Sequence, residues 1–134
     1  LHEDPRRQRQ MCIRDSLKPL YRCTGIMVSN HGGRQLDGAR APFDQLAEIV
    51  DAVGDKIDVI CEGGIQRGTH ILKALSVGAK ACSGGRLYLY ALAAAGQKGV
   101  EKALGLYRSE IERDMKLMGC KSIKELNRSN IKFR

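Results

Sequence analysis

Residues 25–38 read Gly-Ile-Met-Val-Ser-Asn-His-Gly-Gly-Arg-Gln-Leu-Asp-Gly. The first six residues are an apolar run closed by polar ones, which predicts a short buried strand. The glycine-rich remainder predicts a loop at the carboxyl end of that strand. Pro42 then opens a helix at a position where its missing N–H costs nothing, and Gly54 ends it. Apolar residues continue at helical spacing between these two, at Phe43, Leu46, Ala47, Val50 and Val53.

The same unit recurs twice downstream. The run 57–61 predicts a second strand, which Glu62-Gly63-Gly64 closes. Thr69 is expected to cap a helix over 71–77 that Gly78 stops. A third strand is predicted over 79–83, ending in Gly84-Gly85-Arg86.

The C-terminal third is expected to be helical. Residues 87–95 predict one helix, and Gly96 is expected to break it. A longer amphipathic helix follows, and Ser122-Ile123-Lys124-Glu125 is a capping box for a short last helix. The longer helix carries one apolar stripe, at Val100, Ala103, Leu104, Tyr107, Ile111, Met115 and Met118.

Alternation of strand and helix at this spacing indicates a parallel sheet with helical crossovers. A closed (β/α)8 TIM barrel takes about 250 residues, so three units are less than half of one. The alternative is a small open doubly wound sheet. All three strands end in glycine-rich polar loops while their starts are plain, which favours the α/β barrel, whose active sites lie at the carboxyl ends of the strands.

Residues 1–22 show neither a period nor a strand. We therefore expect residues 1–22 to be a disordered or artefactual segment and 23–134 to be the folded domain. An intact upstream reading frame that encodes the first 22 residues would defeat this hypothesis.

The net charge of +8 raises the possibility of a nucleic-acid-binding module. Its excess lies at the two ends, because residues 23–100 hold eight Lys/Arg against seven Asp/Glu. Clustered cations with stacking aromatics are absent, so we expect no nucleic-acid partner. The sequence contains no stretch of about 18 apolar residues and no apolar leader segment, so we expect no integral membrane segment. The expected location is the cytoplasm, with a peripheral position at the inner face of the membrane as the alternative.

Five cysteines stand at 12, 23, 61, 82 and 120, without any C-x-x-C pair. This odd number argues against a disulfide framework, and the spacing argues against a zinc site. Cys61 and Cys82 lie in apolar runs and are expected to be buried free thiols.

His31 and Arg34 are the first candidate functional residues. A neutral imidazole at the carboxyl end of a strand can take a proton at neutral pH. A guanidinium three residues later can hold a carboxylate in two hydrogen bonds. A base beside a carboxylate clamp suits chemistry at the carbon alpha to that carboxylate, although a solvated loop histidine remains the alternative.

The loops after the second and third strands are candidate anion sites. Each feeds a helix N-terminus, where free N–H groups and the helix dipole attract anions. Arg67 and Arg86 stand nearby and can balance the charge of a phosphate. His2 and His70 have no evident partners, and the sequence assigns them no function.

Taken together, these motifs resemble the FMN-dependent alpha-hydroxy-acid dehydrogenase and oxidase family, which includes glycolate oxidase and L-lactate dehydrogenase. The resemblance covers residues 23–134 and continues through Gly-Gly-Ile-Gln-Arg-Gly-Thr at 63–69, Leu-Lys-Ala-Leu at 72–75 and Met-Gly-Cys at 118–120. It implies an FMN cofactor, a small 2-hydroxy acid as substrate, a homotetrameric parent protein and a (β/α)8 barrel of which these are the last three units.

The resemblance also implies residue roles. His31 matches the catalytic base and Arg34 the substrate-carboxylate ligand. Two electrons would pass from the alpha carbon to the flavin. The residues expected to bind FMN are Ser29, Glu62, Gly63, Gly64, Ile65, Gln66, Arg67, Gly85 and Arg86.

This chain departs from the family at two positions and lacks others. The family usually has Asp at Glu62 and often Arg at Gln66, so we expect Arg86→Ala to cost more FMN affinity here than in relatives. A flavin-contacting lysine, a substrate tyrosine, a second carboxylate-binding arginine and an aspartate that orients the histidine have no match in the sequence. We therefore expect the 134-residue chain alone to be inactive and colourless. Another phosphate-binding barrel enzyme remains an alternative, although it explains the glycine loops without explaining His31 and Arg34.

Overall fold

The computed structural model describes residues 23–132. Three strands alternate with three helices, and single 3-10 turns lie at His31–Gly33, Ile123–Glu125 and Arg128–Asn130. The elements are β1 (Gly25–Val28), α1 (Pro42–Val53), β2 (Asp58–Glu62), α2 (Gly68–Val77), β3 (Ala81–Ser83) and α3 (Arg86–Met118). The predicted element types and their order are confirmed.

The strands form one parallel sheet in the order β1-β2-β3. Val28 is in register with Cys61, and Cys61 with Cys82. The core lies between the sheet and the helices, where Val59 and Cys61 pack with Leu46 of α1 and with side chains of α2. Both crossover helices thus cover the same face of the sheet, which is the arrangement of a barrel wall.

The N-terminus of α2 differs from the sequence prediction. The helix begins at Gly68, so Thr69 lies inside it and is not the cap. The N-cap residue is Arg67, whose side chain makes no capping bond. Glu110 of α3 caps the helix instead, because its Oε2 accepts a hydrogen bond from the Gly68 amide at 2.7 Å.

The start of β3 also differs. The predicted strand over 79–83 is observed only as Ala81–Ser83. Gly78 has φ +121°, and the amides of Gly78 and Ala79 turn back to the carbonyls of Leu75 and Ala74. Ala79 therefore closes the end of α2, and the strand begins after it.

The predicted break at Gly96 is confirmed, because α3 consists of two helical segments that meet at a kink. Ala95 and Gly96 have non-helical dihedral angles, and the helix resumes beyond them. Most of the predicted apolar stripe is half-buried, with α3 packed on α2, but Leu104 and Met118 are exposed. At the chain's end, Ser122 caps its turn by accepting from Lys124, while Glu125 accepts from Lys121, so the bonds differ from those of the predicted capping box.

The prediction for residues 1–22 lies outside the described residues. Among residues 23–132, no helix has both the length and the apolar composition needed to cross a bilayer.

Candidate functional site

The candidate residues gather at the carboxyl edge of the sheet. One residue beyond the registered pair Val28–Cys61, the Ser29 hydroxyl donates to Glu62 Oε2. Glu62 is itself in register with Ser83 of β3. Because side chains alternate along a strand, this polar row faces away from the helices. Two predicted cofactor ligands, Ser29 and Glu62, are thus in contact with each other.

His31 lies in a tight turn just past this row. Its φ is +54°, the only positive value for a non-glycine residue in the described part of the chain. The backbone amide of His31 donates to Ser29 Oγ at 3.0 Å, and the amide of Gly32 donates to Asn30 Oδ1 at 3.0 Å. A left-handed backbone costs an L-residue about 1–2 kcal/mol, so the turn is maintained against a local preference. His31 itself is exposed.

Arg86, the first residue of α3, contacts this turn from the opposite edge of the sheet, where β3 ends. Its Nη2 donates to the carbonyl oxygen of Gly32 at 3.1 Å. The turn after β1 and the loop after β3 are therefore in direct contact, although 54 residues separate them in sequence. This contact brings a predicted phosphate ligand next to the predicted base.

Arg34 ends the same turn, and its amide donates to the carbonyl of His31 at 3.4 Å. Its side chain is exposed. A cleft of about 420 Å³ lies beside the turn, between β1, the segment 35–40 and α1. Ser29 and His31 line this cleft, whereas Arg34, Glu62 and Arg86 do not. The cleft therefore lies along the free side of β1 and includes only two of the candidate residues.

The loop after β2 is held by two residues to which the sequence analysis assigned no function. His70 Nδ1 lies 3.2 Å from the donating amide of Gln66 and 3.1 Å from the carbonyl oxygen of Gly64. The first contact requires an unprotonated Nδ1 and the second a protonated one. The hydroxyl of Tyr107 donates to the carbonyl of Ile65 at 2.8 Å. The position of His70, four residues after Gln66 in the first turn of a helix, was the available signal.

Arg67 is less available than the sequence predicted. Its Nε donates to Glu110 Oε1 at 2.7 Å, and the other oxygen of that carboxylate takes the Gly68 amide. The Gly68 amide, followed by the Arg67 guanidinium, lowers the pKa of Glu110 below its usual value. A carboxylate thus already occupies the N-terminus of α2, where the sequence placed part of an anion site. In contrast, the N-cap residue of α3 is Gly85, which has no side chain that could cap the helix.

The thiols behind the site are poor nucleophiles. Burial raises the pKa of Cys82 to about 12, with a smaller effect from neighbouring Cys61. Burial also raises the pKa of Cys61, which has no exposed surface. Both are free thiols, as expected, although Cys82 is only half-buried.

Comparison with known proteins gives a consistent result. Residues 20–133 match the family model described as FMN-dependent dehydrogenase. The chain is 49% identical over 107 residues to L-lactate dehydrogenase (cytochrome) of Wickerhamomyces anomalus, covering 76% of this chain and 19% of that protein. It is 49% identical over 109 residues to L-lactate oxidase of a Nostoc strain, covering 81% and 30% respectively. The chain therefore spans less than a third of the length of these relatives.

Solved structures agree with the sequence matches. The recombinant flavin-binding domain of baker's yeast flavocytochrome b2 superposes with a TM-score of 0.80 at 43% identity, over 87% of this chain and 31% of that one. A soluble mutant of the membrane-associated (S)-mandelate dehydrogenase from Pseudomonas putida gives a TM-score of 0.84 at 37% identity, over 91% and 35%. The three-unit sheet is thus similar to part of larger flavoenzymes.

Proposed function

The chain belongs to the FMN-dependent dehydrogenase family, and on this basis we propose that residues 23–134 are the last three βα units of a (β/α)8 barrel that oxidises a small 2-hydroxy acid. The observation that carries the proposal is the contact between Arg86 and Gly32, which joins the predicted base to the predicted phosphate loop. An unrelated phosphate-binding barrel would not need an imidazole at this point.

The uncovered face of the sheet supports the larger barrel. Met27, Ile60 and Ala81 are in register across the three strands and face away from the helices. Met27 is 54% exposed, although parallel sheets are ordinarily covered on both faces. Several large apolar side chains in the first half of α3 are exposed as well: Tyr88, Leu89, Tyr90 and Leu92. Five further units would cover the inner face and pair the free edges of β1 and β3.

In the proposed reaction, His31 is the base and Arg34 binds the substrate carboxylate. Oxidation of a 2-hydroxy acid to a 2-oxo acid breaks one C–H and one O–H bond, forms the C=O bond, and releases two electrons and two protons. His31 takes a proton from the substrate's hydroxy-acid centre on its imidazole. Arg34 fixes the alpha carbon beside it through the planar fork of its guanidinium. When bound, FMN would supply the acceptor for the two electrons and for the second proton.

The residues of the carboxyl edge fit the phosphate of FMN. The N-cap residue of α3 is a glycine without a side chain to cap the helix, and the free N–H groups of a helix N-terminus attract anions. A Cβ placed on Gly64 would meet no atom within 4 Å, so the loop after β2 is open at that point. Arg86 offers a guanidinium at the same edge. We propose that Gly85, Arg86 and the loop Glu62 to Gln66 hold the phosphate, with Arg67 contributing less because Glu110 pairs with it.

A chimera provides the test. Residues 23–132 replace the matching segment of the Nostoc L-lactate oxidase, so the remaining units and their residues are supplied by the relative. We expect a yellow protein with stoichiometric FMN that oxidises L-lactate or glycolate. Arg86→Ala in this chimera should weaken FMN binding more than the same change does in the parent oxidase. A folded chimera without flavin, or flavin affinity unchanged by Arg86→Ala, would contradict the proposed site.

For the isolated chain we propose a lack of both flavin and turnover. The physical reason is the open sheet face and the unpaired edges, which also favour aggregation. Stoichiometric flavin absorbance in the purified 134-residue chain would overturn this. We further propose that the whole protein is a cytoplasmic homo-oligomer, which size-exclusion chromatography coupled to light scattering and cell fractionation can test.

A further inference from the structure

We infer that Arg86 is a positioning residue for His31, in addition to its proposed contact with the flavin phosphate. This inference rests on the proposed function, since it assigns His31 the role of base. The starting observation is the 3.1 Å hydrogen bond from Arg86 Nη2 to the carbonyl oxygen of Gly32, the residue next to His31.

The fit between this guanidinium and the turn depends on a glycine. A Cβ built on Gly32 would lie 2.1 Å from Arg86 Nη2 and 2.9 Å from its Cζ. A Cβ on the neighbouring Gly33 would meet nothing within 4 Å. Both glycines have left-handed backbones, with φ of +67° and +78°. The space over Gly32 is therefore filled by the arginine, and the space over Gly33 is open.

The turn needs a tie to the rest of the fold, because three successive residues in it have positive φ. The amides of His31 and Gly32 donate to Ser29 Oγ and Asn30 Oδ1, and the Ser29 hydroxyl ties the start of the turn to Glu62 of β2. Arg86 is attached to α3, so its bond fixes the turn relative to a different element. A hydrogen bond from a charged donor is stronger than a neutral one, which suits it to hold a strained backbone.

A guanidinium has five N–H donors, so the one that binds the Gly32 carbonyl leaves four for an anion. The same side chain can therefore touch the phosphate and the turn at once. Binding of the phosphate would restrict the guanidinium further and with it the position of His31. Lysine at this position keeps the positive charge but loses the fork, so Arg86→Lys separates attraction of the phosphate from placement of the turn.

The first test measures amide hydrogen exchange of the turn that contains Gly32 and Gly33 by mass spectrometry in the chimera. We expect Arg86→Ala and Arg86→Lys to speed exchange of these amides by about tenfold, the loss of one charge-assisted hydrogen bond. The matched control is Arg108→Ala, which removes an 83% exposed arginine from the same helix. Exchange that stays within about twofold of wild type in both Arg86 variants, or unprotected turn amides in the wild type, would overturn the inference.

The two glycines give a second, independent comparison. Gly32→Ala and Gly33→Ala both place a Cβ on a left-handed backbone, but only the first displaces Arg86. We expect Gly32→Ala to speed exchange in the turn more than Gly33→Ala, and this difference to disappear in an Arg86→Ala background. Persistence of the full difference without Arg86 would show that the guanidinium does not hold the turn.

The flavin-containing chimera separates this inference from the proposed function. There, Arg86→Lys should lower the rate of flavin reduction and change its pH profile, while the FMN Kd stays within about threefold of wild type. If the chimera binds FMN, and Arg86→Lys changes neither the rate of flavin reduction nor the amide exchange of the turn, the inference is contradicted and the proposed function is not. If the chimera folds without flavin, and the Arg86 variants still speed amide exchange in the turn, the proposed function is contradicted and the inference is not.

Discussion

The packing of the loop after β2 onto the start of α1 can be tested with a pair of neighbouring glycines. A Cβ on Gly63 would lie 2.8 Å from Pro42 Cγ and 3.3 Å from Asn30 Oδ1, whereas a Cβ on Gly64 would meet nothing within 4 Å. Both residues have positive φ, at +111° and +75°. Alanine at either position therefore strains the backbone, but only Gly63→Ala also overpacks a buried proline ring.

The expected magnitudes differ accordingly. Gly64→Ala should cost about 1–2 kcal/mol of unfolding free energy from the left-handed backbone. Gly63→Ala should cost about 2–5 kcal/mol, because overpacking adds about 1–3 kcal/mol. With a urea m-value of about 2 kcal/mol/M, the two midpoints should differ by about 0.5–1.5 M. Equal midpoints for the two variants would refute the packing of Gly63 against Pro42.

Three further predictions concern the helices and the thiols. Because the pKa of Glu110 is lowered in the folded state, the Glu110 carboxylate stabilises the fold above pH 4.5, and this contribution is lost as the pH falls through the pKa of the folded state. The Tm difference between wild type and Glu110→Gln should therefore shrink on acidification. A constant difference would contradict the proposed capping of α2 by Glu110. At mildly alkaline pH, Cys61 and Cys82 should react with iodoacetamide only on unfolding, since burial raises the pKa of both. Peptide mapping that finds rapid alkylation of either thiol in the native chain would contradict this. Arg128 pairs with Asp51 on the surface and also donates to the carbonyl oxygen of Val77 in α2 at 3.2 Å. In urea unfolding, Asp51→Ala should therefore cost about 0–1 kcal/mol and Arg128→Ala about 1–2 kcal/mol. A larger cost for Asp51→Ala would show that the ion pair dominates.

The elements that depend on local signals follow from the sequence. Pro42 occupies the start of α1, Gly78 closes α2 with a positive φ, and the alternation of strand and helix gives the parallel sheet. Each of these outcomes is set by the conformational range of one residue or by a short apolar run. Gly96 separates two helical segments, as predicted, because the backbone at Ala95 and Gly96 leaves the helical range.

The parts that the sequence did not predict depend on residues far apart in the chain. Glu110 replaces Thr69 as the cap of α2 from 42 positions away, and it takes Arg67 as a partner at the same time. His70 holds the loop after β2 because the first turn of α2 faces back toward it. No local spacing encodes the Glu110 contacts, since they require the relative placement of α2 and α3, whereas the His70 contact spans only four residues and had a local signal.

The exposure of the apolar stripe has a similar explanation. Leu104 and Met118 follow helical spacing but remain exposed, because α2 contacts only part of α3. Periodicity identifies which side of a helix is apolar, whereas burial depends on how far the neighbouring element extends.

Anaerobic reduction of the flavin by L-lactate in the chimera tests the central claim most directly. His31→Asn is the informative variant, because asparagine tolerates the left-handed backbone that His31 adopts but cannot replace imidazole as a base. The account predicts that this variant retains FMN and that bleaching of the flavin slows by about 10²–10⁴-fold. Bleaching at the rate of the unsubstituted chimera would show that His31 is not the base.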